Sequence, residues 1–131
     1  MLIGPFTSGI AVETAGAGTG VANKDTPQRL TGRVRAIYVK YCGTVPPATT
    51  DVTITTEGTY PAAPSVTLLT LTDANTSGWF FPRVAPHSVL GVALIALTIY
   101  EPIPIDDIVN IAIAGADNDN YAECWFMLDR C

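Results

Sequence analysis

Few side chains in this sequence have the types and spacing that catalysis requires. The sole histidine, His87, lies between Pro86 and Ser88, and no nucleophile motif such as G-x-S-x-G accompanies it. The glycine-rich run GAGTG at 16–20 lacks the lysine of a phosphate-binding loop. We therefore expect no enzyme activity, no catalytic residue and no cofactor.

Oxygen-bearing side chains fill the segment DNDN at 117–120, and such a spacing can converge on a hard cation such as Ca²⁺. The segment lacks the glycine and the distal glutamate of an EF-hand loop. Asn and Asp also tolerate the positive φ of hairpin turns, so we predict a turn here and no bound metal. The three cysteines, Cys42, Cys124 and Cys131, are too widely spaced for a zinc site and odd in number for a disulfide framework.

Aromatic residues and an arginine form a third group, in the segment GWFFPR at 78–83. In a strand, Trp79, Phe81 and Arg83 share one face and Phe80 takes the other. Aromatic residues and arginine are enriched at protein interfaces. Three explanations stay open: core packing under a loop, a protein interface, and a platform on which sugar rings stack.

The elements that must position these residues are strands. Glycine and proline, at 11 and 10 residues, separate runs rich in Val, Ile, Thr and aromatics, and no segment has helical spacing. We predict an all-β fold, a two-sheet antiparallel β-sandwich that is jelly-roll-like. Strands are expected near residues 6–13, 29–42, 50–57, 65–72, 78–83, 89–100, 107–115 and 120–128.

Two of these strands depart from simple alternation. In RLTGRVRAIYVKYC the apolar positions change phase between Val34 and Ile37, which predicts a β-bulge near Arg35 or a change of sheet environment. In YAECWFMLD both faces are apolar, whereas the outward face of a sandwich strand is usually polar. Trp125 and Met127 are therefore expected to lie under a loop or against another chain.

The chain is expected to divide near residue 28. Residues 1–28 are rich in small side chains and are predicted to form an extended arm, mobile or supported by a neighbouring chain, ahead of a β-sandwich domain at 29–131. Phe6 and Ile10 would then pack on that neighbour. Proline alternates with isoleucine in EPIPIDD at 101–107, which predicts a sheet edge or a crossover between sheets.

The charge pattern excludes some partners. A net charge of −5 disfavours binding to nucleic acid, and no apolar run reaches the length of a membrane helix. The N-terminus has no basic leader, so we expect synthesis in a cytoplasm. Basic residues cluster within 29–40, while the charged residues within 101–129 are all acidic. This asymmetry is typical of solvated faces, and it would also allow the basic strand of one copy to meet the acidic edge of another.

A family resemblance follows from the order of three segments. GRVRAIYVKYCGTVPPATTDVTITTEG, then TLLTLTDANTSGWFFPR, then EPIPIDDIVNIAIAGADNDNYAECWFMLD span roughly residues 29–129 and resemble small capsid decoration, or cement, proteins of tailed bacteriophages. The resemblance implies a β-sandwich that forms oligomers, frequently trimers, on the outer surface of a capsid and ties major capsid subunits together. It implies no active site.

Together, the residues and the resemblance predict a structural virion protein that forms a homo-oligomer, with a trimer favoured, and binds the major capsid protein. Nucleic acid and membrane are not expected partners. The expected interface residues are Phe6, Ile10, Arg33, Arg35, Trp79, Phe81, Arg83, Trp125 and Met127. One alternative is a carbohydrate-binding β-sandwich with Trp79 as platform and Asp117 and Asp119 as Ca²⁺ ligands; another is an adhesion module of a phage head fibre or tail.

Overall fold

A computed structural model describes residues 1–58, 65–84 and 101–129. Within these ranges the chain forms strands and no helix, so no helix there is long and apolar enough to cross a membrane. His87 and the strand expected at 89–100 lie outside the described residues. The strands are β1 (Leu2–Thr7), β2 (Gly20–Asp25), β3 (Leu30–Cys42), β4 (Asp51–Thr56), β5 (Thr67–Leu71), β6 (Gly78–Phe80), β7 (Arg83–Val84), β8 (Glu101–Asp107), β9 (Val109–Ala116) and β10 (Tyr121–Asp129).

The strands make two antiparallel sheets that pack together. The order in the six-stranded sheet is β1, β10, β3, β8, β7, and β6 pairs with the part of β3 that β8 leaves free. The four-stranded sheet has the order β2, β9, β4, β5. Most connections cross from one sheet to the other, since β1, β3, β8 and β10 belong to the first sheet and β2, β4 and β9 to the second. The predicted two-sheet β-sandwich is confirmed.

The hydrophobic core lies between the sheets and comes from alternation along each strand. In β4, Val52 and Ile54 are buried while the residues between them are half-exposed. Ile111 in β9 and Ile37 and Phe126 in the opposite sheet complete the centre of this core, all of them fully buried. Complete burial of one such side chain contributes about 1.5–3 kcal/mol to folding.

The change of phase in β3 is a β-bulge, as predicted. Met127 pairs with Ala36, and the next residue, Leu128, pairs with Val34, so Arg35 is an extra residue that the ladder skips. Val34 consequently faces the core, whereas Ala36 faces outward although the two share sequence parity. One strand thus places an arginine and an alanine side by side on the outer face.

The first 28 residues differ from the expected arm, because they supply one edge strand to each sheet. β1 pairs with β10 and β2 pairs with β9, and the ring of Phe6 lies 5.9 Å from that of Phe126 at the core. The physical reason is that a strand pairs through its backbone, and the free edges of β9 and β10 offer backbone groups that must be satisfied. Small side chains at 1–28 do not prevent this pairing.

The proline-containing segment at 101–107 is a strand that leads into a crossover between the sheets. Residues 103–107 of β8 pair with β3, and β7 pairs only with Glu101 and Pro102 on the other side. Ile108 then leads directly into β9 of the opposite sheet. The change of sheet thus comes directly after this segment, and within 101–107 each residue pairs on one side only, as at a sheet edge.

Candidate interaction surface

Three aromatic rings form a row across the outer face of the six-stranded sheet. Tyr38 in β3 is the register partner of Trp79 in β6 on one side and of Trp125 in β10 on the other. The ring centroids of Tyr38 and Trp79 are 5.1 Å apart, and those of Tyr38 and Trp125 are 5.7 Å apart, both in tilted orientations. Such cross-strand aromatic pairs stabilise a sheet and fix the side chains in place. We call these three residues the aromatic row.

A second outward row lies beside the aromatic row. Met127 pairs with Ala36 on one side and with Leu2 of β1 on the other. Phe81, which follows β6, helps to enclose a shallow depression of about 410 Å³. The depression is lined by Arg35, Ala36, Trp79, Phe81, Arg83 and Met127. We call the aromatic row together with Leu2 and these lining residues the outer patch.

The outer patch is partly open to solvent and mostly apolar. Phe81 is 63% exposed, Leu2 48% and Trp79 46%. Isolated exposed apolar side chains are ordinary, but a contiguous group of them on one face marks an interaction site. Nothing in the described residues covers this group.

Arginines border the outer patch and differ in their partners. Arg35 forms an ion pair with Asp129. Arg83 donates from Nη1 to the carbonyl oxygens of Arg35 at 2.7 Å and Pro82 at 2.8 Å. Among the described residues, neither Arg83 nor the exposed Arg33 forms an ion pair. Their charges are therefore available to a carboxylate that approaches this face.

A second ion pair lies at the margin of this face, away from the aromatic row. Arg29 donates from Nε to Asp106 Oδ1 at 2.6 Å, and Thr31 donates to the same oxygen at 2.7 Å. The hydrogen bond from Arg29 and then that from Thr31 lower the pKa of Asp106. Since both partners are exposed, this pair adds little to stability.

The structure gathers most of the expected interface residues on one face. Arg35, Trp79, Phe81, Arg83, Trp125 and Met127 belong to the outer patch, and Arg33 lies on the same face beside Asp129. Phe6 instead packs against the core, and Ile10 lies in the loops beyond the opposite end of β10. Sequence reasoning missed Tyr38, Ala36 and Leu2, although alternation after the bulge identifies the first two as outward.

The segment 117–120 forms the predicted turn, and it connects three loops. Asn120 is fully buried; its Nδ2 donates to the Thr44 carbonyl at 2.8 Å, and its Oδ1 accepts from the Asp117 amide at 3.0 Å. Its own carbonyl accepts from the Ala11 amide at 2.8 Å. Asp119 has a φ of 69°, as a turn residue requires. Loops 8–19, 43–50 and 117–120 are therefore held as one surface.

The residues of the carbohydrate alternative lie in separate parts of the molecule. Trp79 belongs to the outer patch, whereas Asp117 and Asp119 lie in the turn, where Asp117 Oδ1 accepts from the Gly18 amide at 2.8 Å. Within 1–58, 65–84 and 101–129, no three His, Cys, Asp or Glu side chains are placed to hold one metal ion.

Two cysteines are free thiols in the described part of the chain. Burial, and secondarily the charge of Glu123, raises the pKa of Cys124 to about 12. Burial and then Glu123 also raise the pKa of Cys42. A thiol acts as a nucleophile only when it is deprotonated, so neither one is activated at neutral pH.

In comparisons with known proteins, no family model, no curated protein and no solved structure matches this chain.

Proposed function

We propose that this chain is a structural protein of a tailed-phage virion, a decoration protein that oligomerises and binds major capsid proteins on the outer surface of the shell. The outer patch is the observation that carries the proposal. It supplies Trp79, Phe81 and Met127 together with arginine, which are the residue types enriched at protein interfaces. The resemblance of residues 29–129 to decoration proteins supplies the class of partner.

Two physical features suit the outer patch to this role. Its side chains stand on paired strands and are held by cross-strand contacts, so binding costs little conformational entropy. On a capsid the same contact recurs at every lattice position, and many modest contacts made together give a large total affinity. A small sheet face is therefore sufficient to hold such a protein on a shell.

The protein composition of purified particles tests the proposal. Tailed-phage particles are isolated on a density gradient from cells that produce this chain. We expect the chain to band with the particles at a fixed ratio to the major capsid protein, and to protect them against loss of DNA on heating. Recovery of the chain only in the soluble fraction would rule out the proposed function.

A pair of variants tests whether the outer patch makes the contact. Trp79→Ser with Phe81→Ser removes the two most exposed aromatic rings in the described part of the chain and should lower occupancy on particles at least about tenfold. Val66→Ser is the matched control, because Val66 is 46% exposed, as Trp79 is, but lies beside β5 of the other sheet. The control should bind particles as the unchanged chain does. If the unchanged chain instead binds one or more glycans of a panel and the variant with Trp79→Ser and Phe81→Ser does not, the carbohydrate alternative is supported.

A further inference from the structure

A groove beside the outer patch contains a cation that has no partner in the described part of the chain. Arg33 lies there between its two register partners, Asp129 of β10 and Pro104 of β8. The groove has a volume of about 630 Å³ and is also lined by Arg29 and Ile105. We call these five residues the arginine groove.

Two carboxylates lie near Arg33 without pairing with it. Asp129 forms its ion pair with Arg35. Glu101 and Arg33 border a second depression, of about 320 Å³, but form no ion pair with each other. Within residues 1–58, 65–84 and 101–129, Arg33 is exposed and has no hydrogen-bonded or ionic partner. It can therefore pair with an incoming carboxylate without breaking a contact of the fold.

The surface around the arginine groove and the margin of the outer patch has an excess of positive charge. On the described part of this surface, four arginines meet three carboxylates. They are Arg29, Arg33, Arg35 and Arg83 against Asp106, Asp129 and Glu101. The whole chain has the opposite sign, with a net charge of −5. A partner that approaches this face is therefore favoured if it presents a carboxylate.

The bulge in β3 sets the distance between Arg33 and the apolar floor of the outer patch. Ala36, Val34 and Arg33 pair with three consecutive residues of β10. Arg33 thus lies on the same face as Ala36, two ladder steps away, or about 7 Å along the sheet. In a regular ladder, residues 33 and 36 would point to opposite faces. The bulge therefore places an unpaired cation at a fixed distance from an apolar depression.

We infer that the major capsid protein, when it occupies the outer patch, places a carboxylate on Arg33. The inference rests on the proposed function and adds the chemistry of the partner. The contact segment of the partner has an apolar side chain over Ala36 and Met127 and an Asp or Glu about 7 Å from it. An extended segment provides this spacing at positions n and n + 2, where both side chains lie on one face. The arginine groove thus extends a single contact and receives no second partner.

A guanidinium suits this contact better than an ammonium group does. Its planar fork can bind both oxygens of a carboxylate through parallel hydrogen bonds, so it selects the orientation of the partner as well as its charge. An amide of the same shape provides one acceptor and no charge. Arg33 should therefore discriminate between partners that have Glu and partners that have Gln at the same position.

Charge reversal in the purified full chain tests the inference on particles. Tailed-phage particles from cells that do not produce this chain are mixed with each variant, and co-sedimentation gives the dissociation constant. Arg33→Glu should weaken binding at least about fivefold, because repulsion replaces attraction. Lys24→Glu is the matched control, since it changes the net charge equally but lies exposed on β2 of the other sheet; its effect should stay below about twofold. Circular dichroism and urea unfolding establish that both variants fold, and Arg33→Gln provides a milder substitution.

Modification of the particles identifies the group that Arg33 binds. Coupling to ethanolamine with a carbodiimide converts exposed carboxylates of the particle into neutral amides, and electron microscopy establishes that the treated particles stay intact. The unchanged chain should lose affinity for them, and Arg33→Glu should then bind as the unchanged chain does. If the unchanged chain keeps its full advantage over Arg33→Glu on treated particles, the inference is wrong.

A pair of peptides tests the same preference without particles. Both are extended and rich in threonine, with a leucine followed two positions later by glutamate in one peptide and by glutamine in the other. The fluorescence of Trp79 in the outer patch reports binding. The unchanged chain should bind the glutamate peptide at least about fivefold more tightly, and Arg33→Gln should abolish the difference.

The outcomes separate the two proposals. If the chain binds particles but Arg33→Glu is impaired no more than Lys24→Glu, the carboxylate contact is wrong and the virion function stands. If the chain prefers the glutamate peptide but never binds particles, the virion function is wrong and the carboxylate preference stands. A chain that neither binds particles nor distinguishes the peptides contradicts both.

Discussion

Arg83 donates a hydrogen bond from its guanidinium to the main-chain carbonyl of Arg35 at 2.7 Å. Arg35 is the extra residue of the bulge in β3, and neither neighbouring ladder includes it as a partner. The contact therefore satisfies a backbone acceptor at the point where regular pairing stops, and it fixes the segment after β6 against β3. A side chain of the outer patch thus has a structural role as well as an exposed charge.

The first prediction concerns this contact. Arg83→Met keeps the length of the side chain but removes its donors, so the free energy of unfolding in urea should fall by about 1 kcal/mol. Arg33→Met is the matched control, since the described residues give Arg33 no hydrogen bond or ion pair, and it should change stability by less than about 0.5 kcal/mol. Equal effects of the two substitutions would show that the bond to Arg35 contributes nothing.

The second prediction concerns the turn. Asn120→Ala should lower the free energy of unfolding by about 2–3 kcal/mol, because it leaves the Thr44 carbonyl and the Asp117 amide without their buried partner. Asn118→Ala removes an exposed hydrogen bond of the same turn and should cost less than about 1 kcal/mol. Urea titration of both variants measures these changes. A small loss of unfolding free energy in Asn120→Ala would mean that contacts other than those of Asn120 hold the loops together.

A third prediction compares two glycines. Gly115 has a φ of 64°, and a Cβ there would lie 2.2 Å from the Thr49 carbonyl oxygen. Gly115→Ala should therefore destabilise the fold by more than about 2 kcal/mol. Gly78 has no atom within 4 Å of an added Cβ, and Gly78→Ala should leave stability unchanged or raise it by about 0.5 kcal/mol. Thermal melts that shift alike for both would contradict the geometry at residue 115.

The fourth prediction concerns pH. Cys124 has an ordinary pKa of 9.0, and burial raises it to about 12 in the folded protein. The folded state therefore favours the neutral thiol, and this contribution is complete below pH 9 and is lost as pH rises toward 12. The stability of the unchanged chain relative to Cys124→Ala should decline over this interval.

Labelling with iodoacetamide gives an independent check on the same thiol. In the native protein Cys42, which is half-exposed, should react sooner than the buried Cys124, and the difference should disappear in concentrated urea. Equal native rates would mean that Cys124 is reached by solvent.

Local alternation was sufficient to predict most strands and the bulge. The period-two pattern at Val52 and Ile54 and the change of phase around Arg35 both depend on residues close in sequence. β2 could not be predicted in this way, because GVANKD has little to bury and its pairing depends on β9, which lies far along the chain. Residues 1–28 are expected to form an arm for the same reason, because their pairing with β9 and β10 cannot be read from neighbouring residues.

The candidate surface was predicted only in part for a related reason. The sequence pattern identifies Trp79, Trp125 and Met127 as outward apolar side chains, but the grouping of the two tryptophans depends on Tyr38, which pairs with one on each side. Ile10 is expected among the interface residues because it is apolar and near the N-terminus, whereas the loop that carries it folds back over Asn120. Such groupings depend on the register between strands that are far apart in the chain, and a single sequence does not reveal that register.

The bulge at Arg35 adds a side chain to the outer face of β3 without changing which residues of β3 pair with β10. Since Val34 and Ala36 pair with consecutive residues of β10, a chain from which residue 35 is deleted would keep every strand partner and every inward side chain. It would lose the Arg35 cation with its ion pair to Asp129, together with the carbonyl that Arg83 binds. Deletion of one residue ordinarily moves the side chains of a strand to the opposite face of the sheet. Here it would change only the outer surface around residue 35.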